Sequence, residues 1–129
     1  MAGTWKDRRP MSPHLQIWKW HPTMMSSILH RACAIICYVA LVLLAVGVVV
    51  LATTGGLPLE GLLFGPLGAI GLFVFVFAFL FMAFAQLRHA VWDNGAMFEP
   101  GFNNMLSWVM ILGAVVGAAI VTFFATGAV

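Results

Sequence analysis

Phe73-Val-Phe-Val-Phe-Ala-Phe-Leu-Phe81 is the stretch on which the fold turns. Its aromatic residues recur at every second position, the period of a half-buried strand. Both sides of the alternation are apolar, however, and the stretch sits inside an apolar run over residues 62–84 that is far too long for a buried strand. In lipid an unclosed sheet leaves backbone N–H and C=O groups unpaired, whereas a helix satisfies them within its own segment. The stretch therefore reads as helix, and the helix as a membrane span.

Two further apolar runs, over residues 24–53 and 106–129, flank it. Each meets the roughly 20 residues a helix needs to cross a ~30 Å hydrocarbon core. The chain is 63% hydrophobic and 8% charged, against about 25% charged in soluble domains, and its mean hydropathy is +1.04. The expected fold is an all-α membrane protein. Three transmembrane helices, near 24–53, 62–92 and 104–128, make a domain over 23–129, preceded by an interfacial segment over 1–22.

Charge sets the expected topology. Lys6, Arg8, Arg9 and Lys19 precede the first span, with no basic residue between Thr53 and Leu63 and none after Arg88, which puts the N-terminus in the cytoplasm. The N-terminal segment has neither an apolar core nor a cleavage signal, so it is expected to be retained. Trp5, Trp18 and Trp20 suit a segment lying on the inner leaflet. The net charge of +2 forms no dense basic tract, so nucleic acid is not an expected partner. Cys33 and Cys37 read as small apolar packing residues.

Chain breakers divide the spans. Pro10, Pro13 and Pro22 interrupt the N-terminal segment, Thr53-Thr54-Gly55-Gly56 and Pro58 end the first helix, and Gly65-Pro66 lead into the second. The second helix is expected to end near Asp93-Asn94-Gly95, and Glu99, Pro100, Gly101, Asn103 and Asn104 to connect it to a third that starts close to Met105. Gly113 and Gly117 form a small-residue face suited either to packing within the bundle or to another helix.

Polar groups at membrane depth are the functional signal. His30 and Arg31 stand at the mouth of the first run, where an ionisable side chain costs about 2.5–3.5 kcal/mol on insertion scales. Ser27, His30 and Arg31 are spaced to share one face of that helix. On the second helix Met82, Gln86, His89 and Asp93 make one stripe. Antiparallel spans bring both sets to the cytoplasmic interface.

An Arg, two His, an Asp and a Ser at the membrane edge can hydrogen-bond a polar headgroup while the hydrocarbon holds an apolar tail, which suits a quinone and its proton-coupled reduction. Plainer roles stand beside this one. Ser27 can bond its own helix backbone, Arg31 can snorkel to lipid phosphate, the imidazoles can be neutral interfacial groups, and Asp93 can cap a helix end. A small helical transporter or proton channel would place ionisable groups at the bilayer midplane, and the middles of all three runs lack them.

Three stretches carry a resemblance. Arg9-Pro-Met-Ser-Pro-His-Leu-Gln-Ile17, Ser26-Ser-Ile-Leu-His-Arg31 and Leu87-Arg-His-Ala-Val-Trp-Asp93 resemble, in order and over nearly the whole chain, the signature stretches of the cytochrome b anchor subunit of succinate dehydrogenase, respiratory complex II. The resemblance implies pairing with a second small three-helix anchor subunit, forming a larger helical bundle. It also implies docking of the iron-sulfur and flavoprotein subunits at the cytoplasmic face of a bacterial inner membrane, the matrix face of a mitochondrial inner membrane being the alternative, with residues 1–22 lying against the iron-sulfur subunit.

Electrons would pass from succinate through flavin and iron-sulfur clusters to ubiquinone or menaquinone, with no catalysis by this chain alone. By the same resemblance Ser27 and Arg31 line the quinone pocket, Asp93 organises Arg and water near it, and Asp93 and Glu99 are candidates for proton delivery. His30, with Arg31 and His89, would border a haem b.

One position departs from the family. Where its members place a haem-ligating His, two helical turns before the His of the Arg-His motif, this chain has Met82. A thioether can serve as an axial haem ligand. Three arrangements stay open: haem b held by Met82 and a residue of the partner subunit, haem held from elsewhere, or no haem. A fumarate reductase anchor, running the reaction in reverse, is the alternative within the resemblance, and Ser27-Ile-Leu-His-Arg31 leans toward succinate oxidation.

Overall fold

The computed structural model describes residues 19, 21–57, 60–95 and 99–127. The expected interfacial segment, its tryptophans Trp5, Trp18 and Trp20, its basic residues Lys6, Arg8 and Arg9, the stretch Arg9–Ile17 and Pro58 lie outside the described residues. Every regular element among those described is helical: α1 (Pro22–Thr54), a single turn α2 (Glu60–Leu63), α3 (Pro66–Asp93) and α4 (Pro100–Gly127). α1, α3 and α4 are each long and apolar enough to cross a membrane. The protein is thus a multi-pass, all-α membrane protein, as its composition requires.

Local chemistry sets the helix ends. His21 is extended (φ −99°, ψ 140°) and Pro22 follows at the first turn of α1, where a missing N–H costs nothing. Gly55 closes α1 in the left-handed conformation (φ 72°), its N–H donating to the Leu51 carbonyl at 3.0 Å. Gly65, extended before Pro66, separates α2 from α3, so the second span begins at Pro66 rather than at residue 62. α3 ends at Asp93, beside Asn94 and Gly95, as its turn residues indicate.

α4 starts at Pro100 rather than near Met105. Gly101, Asn103 and Asn104 are weak helix formers, but one tertiary bond and one local backbone bond hold them in the first turns. Thr23 Oγ1 on α1 donates to Asn104 Oδ1 at 2.8 Å, and the Asn103 N–H reaches the Glu99 carbonyl at 3.1 Å.

α3 is the central helix and packs against both others, most extensively against α4. Its buried stripe is Ala78, Phe81, Ala85 and Arg88; that of α4 is Ser107, Met110, Ala114 and Ala118; that of α1 is only Ser26, Cys33 and Cys37. Both cysteines are free and buried, in keeping with a packing role.

Four alanines at the α3–α4 seam let the backbones approach, the means by which helices associate where lipid tails are as apolar as side chains. The small-residue face of α4 is spent on the same seam. A Cβ at Gly117 would lie 2.7 Å from Leu80 Cδ1, and one at Gly113 3.4 Å from Phe84 Cε2.

The aromatic alternation of 73–81 becomes two ladders spaced by four residues. Phe77 and Phe81 stack at 6.1 Å toward the core, while Phe75 and Phe79 pair at 6.3 Å toward the outside. Past Cys37, α1 is exposed on most sides.

Candidate functional site

The start of α1, the end of α3 and the start of α4 share one end of the bundle, and among the described residues the side-chain hydrogen bonds between helices all lie there. They form two layers. At the centre of the inner layer is Arg88, only 7% exposed. Its guanidinium Nη1 donates to Ser26 Oγ on α1 and to Ser107 Oγ on α4, each at 3.2 Å. Its Cζ lies 4.7 Å from the centroid of the Trp92 ring, a cation–π distance.

Each serine hydroxyl also donates to its own helix, Ser26 to the Thr23 carbonyl at 2.8 Å and Ser107 to the Asn103 carbonyl at 2.9 Å. One charged side chain thus joins three helices through two hydroxyls oriented to accept. Arg88 Nε, Trp92 Nε1, His30 Nε2 and Asn103 Oδ1 are buried at this end without a protein partner. Such groups are the usual hosts of ordered water or a ligand.

The outer layer holds the residues singled out in the sequence. His30 is half-buried and meets exposed His89 across the α1–α3 seam, ring centroids 6.4 Å apart and nearly perpendicular. His89 in turn lies edge-on to Trp92 at 5.6 Å. Ser27 and Arg31 are exposed on the outer flank of α1, and Gln86 and Asp93 are exposed on α3 one turn to either side of His89. Glu99 is exposed just before α4. Met82 is half-buried against the hydrophobic core.

The structure therefore brings His30 to His89 and leaves Ser27 and Arg31 on α1 and Asp93 on α3 exposed at the same end of the bundle. It does not gather all five into one closed pocket. A groove of about 660 Å³ lies at the other end between α1, α2 and α3, where its lining is wholly aliphatic apart from Phe75 and glycines. Its side chains offer no group able to hydrogen-bond a polar headgroup.

Arg88, Ser26 and Ser107 are absent from the residues the sequence nominated. Each sits one residue or one helix away from a nominated one, and a step of one residue is a turn of about 100° around a helix. The available signal was the small-residue phase: Ala78, Ala85 and Arg88 fall on one face of α3 and Ser26, Cys33 and Cys37 on one face of α1. That phase marks close approach, whereas the phase of Met82, Gln86, His89 and Asp93 marks the adjoining flank.

Among the described residues, no group of three or more His, Cys, Asp or Glu is placed to hold a metal ion. Residues 6–123 match a family model described as the succinate dehydrogenase/fumarate reductase transmembrane subunit. No curated protein matches the chain.

Proposed function

Because the chain belongs to the succinate dehydrogenase/fumarate reductase transmembrane subunit family, we propose that it anchors that complex in a bacterial inner membrane and forms one wall of its quinone site. The family makes it a membrane subunit of an oxidoreductase complex whose partners are iron-sulfur and flavoprotein subunits. In our reading the polar end of the bundle faces the cytoplasm, following the basic N-terminal segment. A second small anchor subunit covers the open flank of α1 and completes the pocket.

The observation that carries this reading is the pairing of His30 with His89 across α1 and α3, beside exposed Ser27 and Arg31. Two electrons leave succinate as it becomes fumarate and arrive by way of the iron-sulfur subunit; with two protons they convert quinone to quinol. The Ser27 hydroxyl and the Arg31 guanidinium donate hydrogen bonds to a quinone carbonyl oxygen and favour the negative charge that builds there. Asp93 and Glu99 stand at the water-facing edge, where carboxylates can pass protons inward. A fumarate reductase anchor would use the same wall with electron flow reversed.

The family also implies haem b, and the residues present fit its edge. His30 Nε2 is buried without a partner and Arg31 is exposed beside it, a donor pair suited to propionate carboxylates. Met82 and a residue of the partner subunit would hold its iron. When bound, the haem supplies a one-electron carrier beside the quinone.

Arg31→Ala and Ser27→Ala should each depress quinone reduction and leave succinate oxidation by an artificial acceptor intact. Unchanged quinone turnover in both variants overturns the site. A reduced-minus-oxidised spectrum of the complex should show a b-type band that Met82→Leu alters. A band untouched by Met82→Leu removes Met82 as a ligand.

A further inference from the structure

An arginine near the end of a membrane helix ordinarily snorkels, extending its aliphatic stem so that the charge reaches water and lipid phosphate. Arg88 does the reverse. It turns inward, 93% covered on the complement of its 7% exposure, and spends two hydrogen bonds on neutral hydroxyls of two other helices. Burying a charge against neutral partners is costly, so the interior position needs a return beyond packing.

That return lies in what its contacts adjoin. Ser26 precedes Ser27 in the chain, and Arg88 precedes His89. Trp92, on which the guanidinium lies, also meets the edge of His89, and His89 meets His30. Arg88 therefore grips both walls of the open flank from behind while touching neither face of it.

We propose that Arg88 is a positioning residue of the quinone site, a role that rests on the quinone-wall reading above. By bridging Ser26 Oγ and Ser107 Oγ it fixes the rotation and height of α1, and with it Ser27 and Arg31, against His89 and Asp93 on α3. A slip of one residue would swing Ser27 and Arg31 about 100° away from the seam. Lysine keeps a charge and could donate both bonds from one nitrogen, but it lacks the planar guanidinium that lies on the Trp92 ring.

The test uses the whole membrane-bound complex with a short-chain quinone, rates being normalised to flavin content. Arg88→Met should raise the quinone KM about 10- to 100-fold, up to the loss that a misplacement of about 1 Å can cause, while kcat changes less and artificial-acceptor activity is unchanged. Arg88→Lys should recover only part of the KM. The double variant Ser26→Ala/Ser107→Ala, which removes the hydroxyls and keeps the charge, should raise KM in the same direction.

A merely structural Arg88 would lower the yield of complex and leave the KM of what assembles untouched. That result, with Arg31→Ala still raising KM, overturns the positioning role and spares the site. If Arg31→Ala also leaves KM unchanged, the quinone-wall reading falls and the positioning role falls with it. Should Arg88→Met fail to assemble, the double serine variant decides, and a normal KM there overturns the proposal.

Discussion

Ser26 and Ser27 are consecutive residues with opposite fates. Ser26 is buried to 1% exposure, donates to the Thr23 carbonyl and accepts from Arg88; Ser27 is exposed. The same division separates Arg88 from Arg31. One arginine is enclosed by two hydroxyls and an indole ring, and the other is open on the flank of α1. Inner polar groups spend hydrogen bonds on holding helices together, with Arg88 Nε left over, and outer ones have kept theirs for something not of this chain. In a membrane bundle an inward polar residue is thus a clasp, and an outward one at the same height is a candidate ligand contact.

Substitutions can break this division, and the outer layer should give the largest response. Arg31→Ala should cut quinone turnover about 10- to 100-fold, the loss of a charge-assisted hydrogen bond of about 1.5–3 kcal/mol, at unchanged flavin content. A fall in flavin content instead would show Arg31 to be another clasp.

Next comes the seam itself. Ala114 is fully buried between α3 and α4, so Ala114→Leu should overpack it at a cost of about 1–3 kcal/mol. The loss should be read as earlier thermal dissociation in detergent, with quinone turnover per surviving complex retained. Reduced turnover at full stability would mean that the alanine seam, like the Arg88 clasp, positions the site.

The smallest and sharpest comparison is the pair of serines. Ser26→Ala should destabilise by about 1 kcal/mol through a lost buried hydrogen bond, seen in the same thermal measurement. Ser27→Ala should stay within about 0.5 kcal/mol, as exposed substitutions usually do, and show its effect in quinone turnover.

Much of the fold was legible because lipid is a severe solvent. Three apolar runs with turn residues between them have few solutions, and the helical reading of Phe73–Phe81 follows from backbone satisfaction alone. The start of α4 was less legible, since Gly101, Asn103 and Asn104 argue for a loop unless the Thr23–Asn104 bond is known. The outer layer was also legible, because His30, Arg31, His89 and Asp93 are conspicuous by their cost in lipid. Arg88, equally costly, was hidden by its neighbour: adjacent Arg and His cannot both face inward, and composition does not say which does.

By itself the sequence determined that this is a three-span helical membrane protein, which end carries its polar residues, and which family's signature stretches it resembles. Only the tertiary structure decided which polar residues face in and which face out. The physical reason is that a membrane helix is apolar on its core side and on its lipid side alike, so hydropathy carries little rotational information. Rotation is set by where backbones can approach, at Ala78, Ala85, Ala114 and Ala118, and by which hydroxyls a buried guanidinium can reach. Those are relations between helices, and they exist only once the helices are packed.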